Sequence, residues 1–121
     1  LMIRQSLDDS SKHSTISLFD NGTGWNVRFI NRAASGGSSS IVTDYAIFAA
    51  PTMMWLKLTF QAGELTAYFS TDGNNWTQIR KRVFDFTGPF YVGAVAVGNH
   101  NKNTITGSID NLQHVSYADG Q

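Results

Sequence analysis

Between Trp55 and Trp76 the chain alternates apolar and polar residues through three runs, broken at Ala62-Gly63 and again at Asp72-Gly73. Side chains on a strand point to opposite faces in turn, so this pattern specifies three consecutive half-buried strands joined by tight antiparallel turns. In the first run Leu56, Leu58 and Phe60 point one way and Lys57, Thr59 and Gln61 the other. The second run sets Leu65, Ala67 and Phe69 inward and Thr66, Tyr68 and Ser70 outward. A helix needs a 3.6-residue period, and the best apolar candidate, Tyr45 to Met54, is interrupted by Pro51.

Short runs of the same kind recur at sandwich-like spacing along the rest of the chain. Strands are expected near 2–6, 14–20, 24–32, 41–48, 53–61, 64–71, 75–81, 90–98 and 104–117. Asn21-Gly22-Thr23-Gly24 reads as the turn between the second and third, while residues 35–40 and 98–103 read as polar loops. Residues 90–98 are apolar or small at every position, which predicts a central strand covered on both faces. The last run changes phase between Ile109 and Leu112, which predicts a bulge near Asp110-Asn111. A chain of 121 residues without an internal linker forms one domain, and a start inside an apolar run suggests a piece of a longer parent.

Composition excludes several function classes. Nine Lys plus Arg balance nine Asp plus Glu, so the basic footprint of a nucleic-acid binder is missing. No apolar run is long enough for a membrane-spanning helix. The absence of cysteine removes disulfides, thiolate metal sites and a cysteine nucleophile together. Plentiful Ser, Thr, Asn and Gly suit an exported β-domain.

Met2-Ile3-Arg4, Phe29 to Arg32, Trp55 to Gly63, Ala67 to Trp76, Tyr91 to Val97 and Ile109 to Leu112 together resemble the C-terminal two-thirds of a concanavalin A-like lectin/glucanase β-sandwich. The nearer likeness is to the secreted, laminin-G-like bacterial modules of that superfamily. The resemblance implies an all-β, antiparallel jelly-roll β-sandwich, a secreted or cell-surface location and a carbohydrate partner. It also implies strands preceding Leu1, whose absence would leave a sheet edge to pair with a second chain or with the missing N-terminal segment. In that frame Trp76 belongs to the core, and Trp55 packs against the neighbouring sheet.

Glycoside hydrolysis needs two carboxylates about 5–10 Å apart across the scissile bond. The single glutamate, Glu64, falls in a turn, the Glu-x-Asp-x-x-Glu pattern of glucanases is absent, and extended Asp8 and Asp9 point apart. No Gly-x-Ser-x-Gly elbow accompanies His13, His100 and His114, and no two of them share zinc-ligand spacing, so all three read as solvated side chains rather than as bases or zinc ligands. No catalytic residue and no obligatory cofactor is therefore assigned. A structural calcium at Asp110 is the one metal the resemblance admits.

Sugar binding needs an aromatic plate for the apolar face of a pyranose and planar polar side chains for its hydroxyls. The resemblance places Arg4 and Arg32 side by side on the concave sheet, where a guanidinium is costly unless paired or used. The expected ligand-binding set is Arg4, Arg32, Tyr45, Tyr91, His100 and Asn101. For the two arginines a salt bridge to Asp44 or Asp85 is the competing role. The rival to a carbohydrate-binding module is a structural or protein-interaction sandwich that assembles through an open edge, and a domain related to glycoside hydrolases comes third.

Overall fold

In the computed structural model, residues 1–20, 24–47, 53–86, 89–94 and 113 are described. Alternating side chains form eight strands there and no helix: β1 (Met2–Arg4), β2 (His13–Asp20), β3 (Trp25–Arg32), β4 (Ser40–Ile47), β5 (Trp55–Gln61), β6 (Glu64–Ser70), β7 (Thr77–Val83) and β8 (Tyr91–Gly93). They make two antiparallel sheets, a five-stranded one in the order β4-β3-β2-β1-β8 and a three-stranded one in the order β5-β6-β7. The expected run at 104–117, with its bulge, lies outside the described residues.

Hairpin geometry sets the registers. Ala62 and Gly63 both have positive φ, 53° and 75°, as a two-residue turn between twisted strands requires, and Gln61 pairs with Glu64 around them. The link from β6 to β7 is longer than a two-residue Asp-Gly turn, and β7 starts at Thr77 rather than near 75. The cause is the Asp72 carboxylate. It accepts hydrogen bonds from the backbone N–H groups of Asn74 and Asn75, both at 2.8 Å, from the Asn75 amide at 2.6 Å and from the Ser70 hydroxyl at 2.9 Å. The two backbone N–H groups, then those side chains, hold its pKa well below the ordinary carboxylate range.

The two sheets face each other across one core. Ile3, Ile16, Val27 and Phe29 from the larger sheet meet Leu65, Ala67 and Phe69 from the smaller, with Leu56, Leu58 and Phe60 packed against them. Period-two alternation thus places every inward residue of β5 and β6 as expected. Phe84 and Phe86 extend the core beyond β7, their rings 4.6 Å apart, and Phe60 meets Phe86 edge-on at 5.4 Å. Fully burying such side chains stabilises the fold by roughly 1.5–3 kcal/mol each.

Three expectations are corrected by this arrangement. Trp76 is absent from the core, because it lies against the Lys57 ammonium, which is 4.2 Å from its ring and 4.5 Å from that of Tyr68. Trp55 shares the parity of Lys57 on β5, so it faces away from the larger sheet and covers the Gly73 turn instead. Thr66 and Ser70 do point outward, yet both are buried. As for the strand expected at 90–98 to be covered on both faces, its described part, β8, ends the larger sheet among the described residues and has Phe90, Tyr91 and Val92 exposed, while residues 95–98 lie outside the described residues.

Candidate functional site

Strand register decides which polar residues meet. Inward-facing Ile3, Ile16 and Phe29 set the parity of β1, β2 and β3, so Arg4, His13 and Arg32 all project from the opposite, outer face of the larger sheet. His13 pairs with Arg4 on one side and with Arg32 on the other, and Arg4 pairs with Tyr91. The result is one row, Tyr91–Arg4–His13–Arg32, running across four strands. Arg4 and Arg32 are therefore on one face as expected, but not side by side, because His13 stands between them.

Neither arginine makes the salt bridge weighed for it. Asp44 is held by Arg28 through two parallel bonds of 2.7 and 2.9 Å, and Arg28 also stacks on the Phe19 ring at 3.9 Å. That pairing raises the Arg28 pKa above its usual value through the Asp44 hydrogen bond. Asp85 lies beside Lys12, with Nζ 4.0 Å from its carboxylate. Arg4 and Arg32 reach backbone carbonyls instead: Arg4 Nε donates to Ser6 at 3.1 Å and its Nη2 to Asp8, while Arg32 Nη1 donates to Asp9 at 2.6 Å. These bonds tie the 6–11 loop over the row and hold both guanidiniums in place. The bonds run to the carbonyls of Asp8 and Asp9, so the loop also brings those two carboxylates near the arginines without a direct ion pair.

His13 is only 8% exposed, which overturns its reading as a solvated histidine. Its Nδ1 lies 3.2 Å from the Thr15 hydroxyl and its Nε2 3.4 Å from that of Ser39. Burial, then the charges of Arg4 and Arg32, lowers its pKa below the ordinary 6.5. The unfolded chain then binds the extra proton first, so this group's contribution to stability is present above pH 6.5 and declines as pH falls toward the folded value. Urea unfolding of the wild type is expected to weaken between pH 7 and 5, and His13→Gln to flatten that slope. A slope unchanged in the variant would remove His13 as its source.

The remaining candidates fall elsewhere. Tyr45 is on β4 but faces inward, its ring 4.9 Å from that of Phe69, so it is on the other side of the sheet from Arg4 and Arg32. His100, Asn101 and Asp110 lie outside the described residues. Between the sheets, beside β1 and β8, a cleft of about 300 Å³ is lined by Leu1, Ile3, Leu58, Phe60, Leu65 and Val92 among others. Its walls are largely apolar and offer few partners for hydroxyl groups.

The sequence reading missed His13 as a member of the row. The signal was available in part: closing the Asn21–Gly24 turn pairs Asp20 with Trp25, and counting back along the hairpin pairs His13 with Arg32. Comparison with protein-family models, with curated proteins and with solved structures finds no match to this chain.

Proposed function

We propose that this chain is a non-catalytic carbohydrate-binding module of a secreted or surface protein, built as a jelly-roll sandwich of concanavalin A-like type. The observation that carries the functional reading is the cross-strand row, in which half-exposed Tyr91 stands in register beside Arg4 and leads through His13 to Arg32. Tyr91 supplies the plate for a pyranose ring, and the arginines supply planar donors for its oxygens. For the fold type, support comes from the return of β8 to lie beside β1 after three strands in the other sheet, a Greek-key feature. Against catalysis, Asp44, Glu64 and Asp72 are each engaged by neighbouring residues rather than facing one another across a cleft. The test is a glycan array probed with the wild type and with Tyr91→Ala. Tyr91 is 51% exposed, so its removal leaves the core intact. Signal is expected from the wild type and several-fold less from the variant, in keeping with an aromatic contact of about 0.5–1.5 kcal/mol.

Assembly through a sheet edge is the second reading, and β4 favours it. Among the described residues β4 ends the larger sheet and exposes Ile41 and Tyr45. The smaller sheet's end strand β7 instead carries Arg80, Lys81 and Arg82, charges that discourage pairing with another copy. A blank array together with a stable dimer in light scattering would replace the carbohydrate reading with this one.

A further inference from the structure

Among the described residues the smaller sheet ends at β7, which is bonded to β6 on one side and has no described strand on the other. The direction of its backbone groups follows from one hydrogen bond. Phe84 N–H donates to the Gly63 carbonyl, and in an antiparallel ladder successive residues turn their N–H and C=O groups to opposite sides. The register runs unbroken from Val83 opposite Glu64 to Arg80 opposite Ala67. Counting back along it, Arg82 and Arg80 bond toward β6, while Val83 and Lys81 offer their N–H and C=O groups to the open side. All four residues are exposed, Val83 at 83%.

The side chains of this edge carry charge of one sign. Lys81 pairs with Glu64 at 3.0 Å. Arg80 and Arg82 stand opposite Ala67 and Leu65 and so project from the other face, and among the described residues neither forms an ion pair. Like charges repel a second copy of β7, and the same charges attract a strand of opposite sign. An antiparallel strand added here takes its hydrogen bonds from Lys81 and Val83. Arg80 and Arg82 then occupy the non-hydrogen-bonded positions, where facing side chains come closest. Residues two apart on a strand lie about 6.8 Å apart, and alternate residues of the added strand share that spacing. Carboxylates at alternate positions therefore meet both guanidiniums at once, each accepting from the planar fork.

We infer that the open edge of β7 docks an extended acidic polypeptide segment, which joins the smaller sheet as a further antiparallel strand with its carboxylates facing Arg80 and Arg82. Main-chain bonds supply the attachment, and the alternate side chains supply the selectivity. The docked stretch is short, residues 80–83, because the register shifts at Ile79, whose side chain packs against the core. The inference is independent of the carbohydrate reading, which concerns the other sheet.

Fluorescence anisotropy with labelled peptides as long as β7, seven residues, tests it. One peptide alternates glutamate with threonine, a second has glutamine for glutamate, and a third is the first N-methylated at its threonines, which removes the donors that face β7. The first is expected to bind ten-fold or more tightly than either of the others. Arg80→Gln and Arg82→Gln should each weaken it about three-fold, as expected for one cross-strand charge pair. Arg4→Gln, on the other sheet, should leave it unchanged, and thermal unfolding checks that each variant is folded. Equal binding of the glutamine peptide would overturn the inference by removing the role of charge. Equal binding of the methylated peptide would overturn it by showing ion pairing without strand addition. A heparin oligosaccharide or a single-stranded oligonucleotide that bound more tightly than the peptide, and lost that binding in the same two variants, would replace the polypeptide partner. No binding to any probe would also overturn it, and none of these outcomes alters the glycan-array test.

Discussion

Phe29→Ala is expected to destabilise the domain by about 3–5 kcal/mol, the range for emptying a buried aromatic site. Natural domains have only about 5–15 kcal/mol in total, so the variant should be close to unfolding at room temperature. Phe29 is 0% exposed, and its strand is hydrogen-bonded on both sides, to β2 through Ile16 and to β4 through Thr43. Flanking strands held in a ladder cannot move in to refill the space, and the facing Leu65 and Ala67 are fully buried themselves. Urea unfolding should show a lower midpoint with an unchanged slope, since the same surface is exposed on unfolding. Val83→Ala is the comparison: Val83 is 83% exposed, and its truncation should change stability by less than about 0.5 kcal/mol. A Phe29→Ala loss below about 1 kcal/mol would mean that the two sheets do not close over this residue.

How much of this was legible beforehand depended on the distance in sequence over which each feature is decided. The strands from Trp55 to Ser70 follow from alternation, which is local, and Leu56, Leu58, Leu65, Ala67 and Phe69 take the faces that their parity dictates. Trp55 and Trp76 went astray because the resemblance placed Trp76 in the core and Trp55 against the neighbouring sheet, which for Trp55 ran against its parity on β5. Position 55 shares a face with Lys57 and Thr59; the 62–63 turn pairs Lys57 with Tyr68, whereas the contact of Trp76 with the Lys57 ammonium is one that sequence spacing does not reveal. The candidate site was less legible still. Arg4, His13 and Arg32 become a row only through two registers, and the β1–β2 register depends on the loop from Gln5 to Lys12. That loop is shaped by contacts such as Ser6 N–H to the Ser11 hydroxyl and by the arginines themselves, so no turn motif announces it.

The same local-against-distant distinction separates the outer faces of the two sheets of this molecule. The smaller sheet is self-contained: Lys57 sits over its aromatics, Lys81 pairs with Glu64 at 3.0 Å, and Asp72 is saturated by its own turn. Polar groups satisfied by near neighbours in this way leave little for a ligand to replace. On the outer face of the larger sheet, by contrast, Arg32 keeps a buried donor without a partner. A polar group left unsatisfied inside an otherwise consistent structure is the exception that calls for an explanation.

The second large effect is expected at Gly73, where Gly73→Ala should cost about 2–4 kcal/mol, combining left-handed backbone strain with overpacking. Gly73 has φ of 78°, and a Cβ built there would stand 2.8 Å from Cε2 and 3.1 Å from Cζ2 of the Trp55 indole. Such a contact forces the ring away from the turn, and the turn is fixed by the four bonds to Asp72 and by the Gly73 N–H donating to the Ser70 hydroxyl at 2.9 Å. Gly63→Ala provides the reference, because its φ of 75° is nearly the same and nothing lies within 4 Å of its added carbon. It should therefore show the backbone strain alone, about 1–2 kcal/mol. The difference between the two variants, measured by urea unfolding, isolates the contact with Trp55. Replacing Trp55 by alanine should cancel that difference, so Gly73→Ala made in a Trp55→Ala background should cost no more than Gly63→Ala does. If the excess persisted without the indole, the close approach of Trp55 would not be its cause.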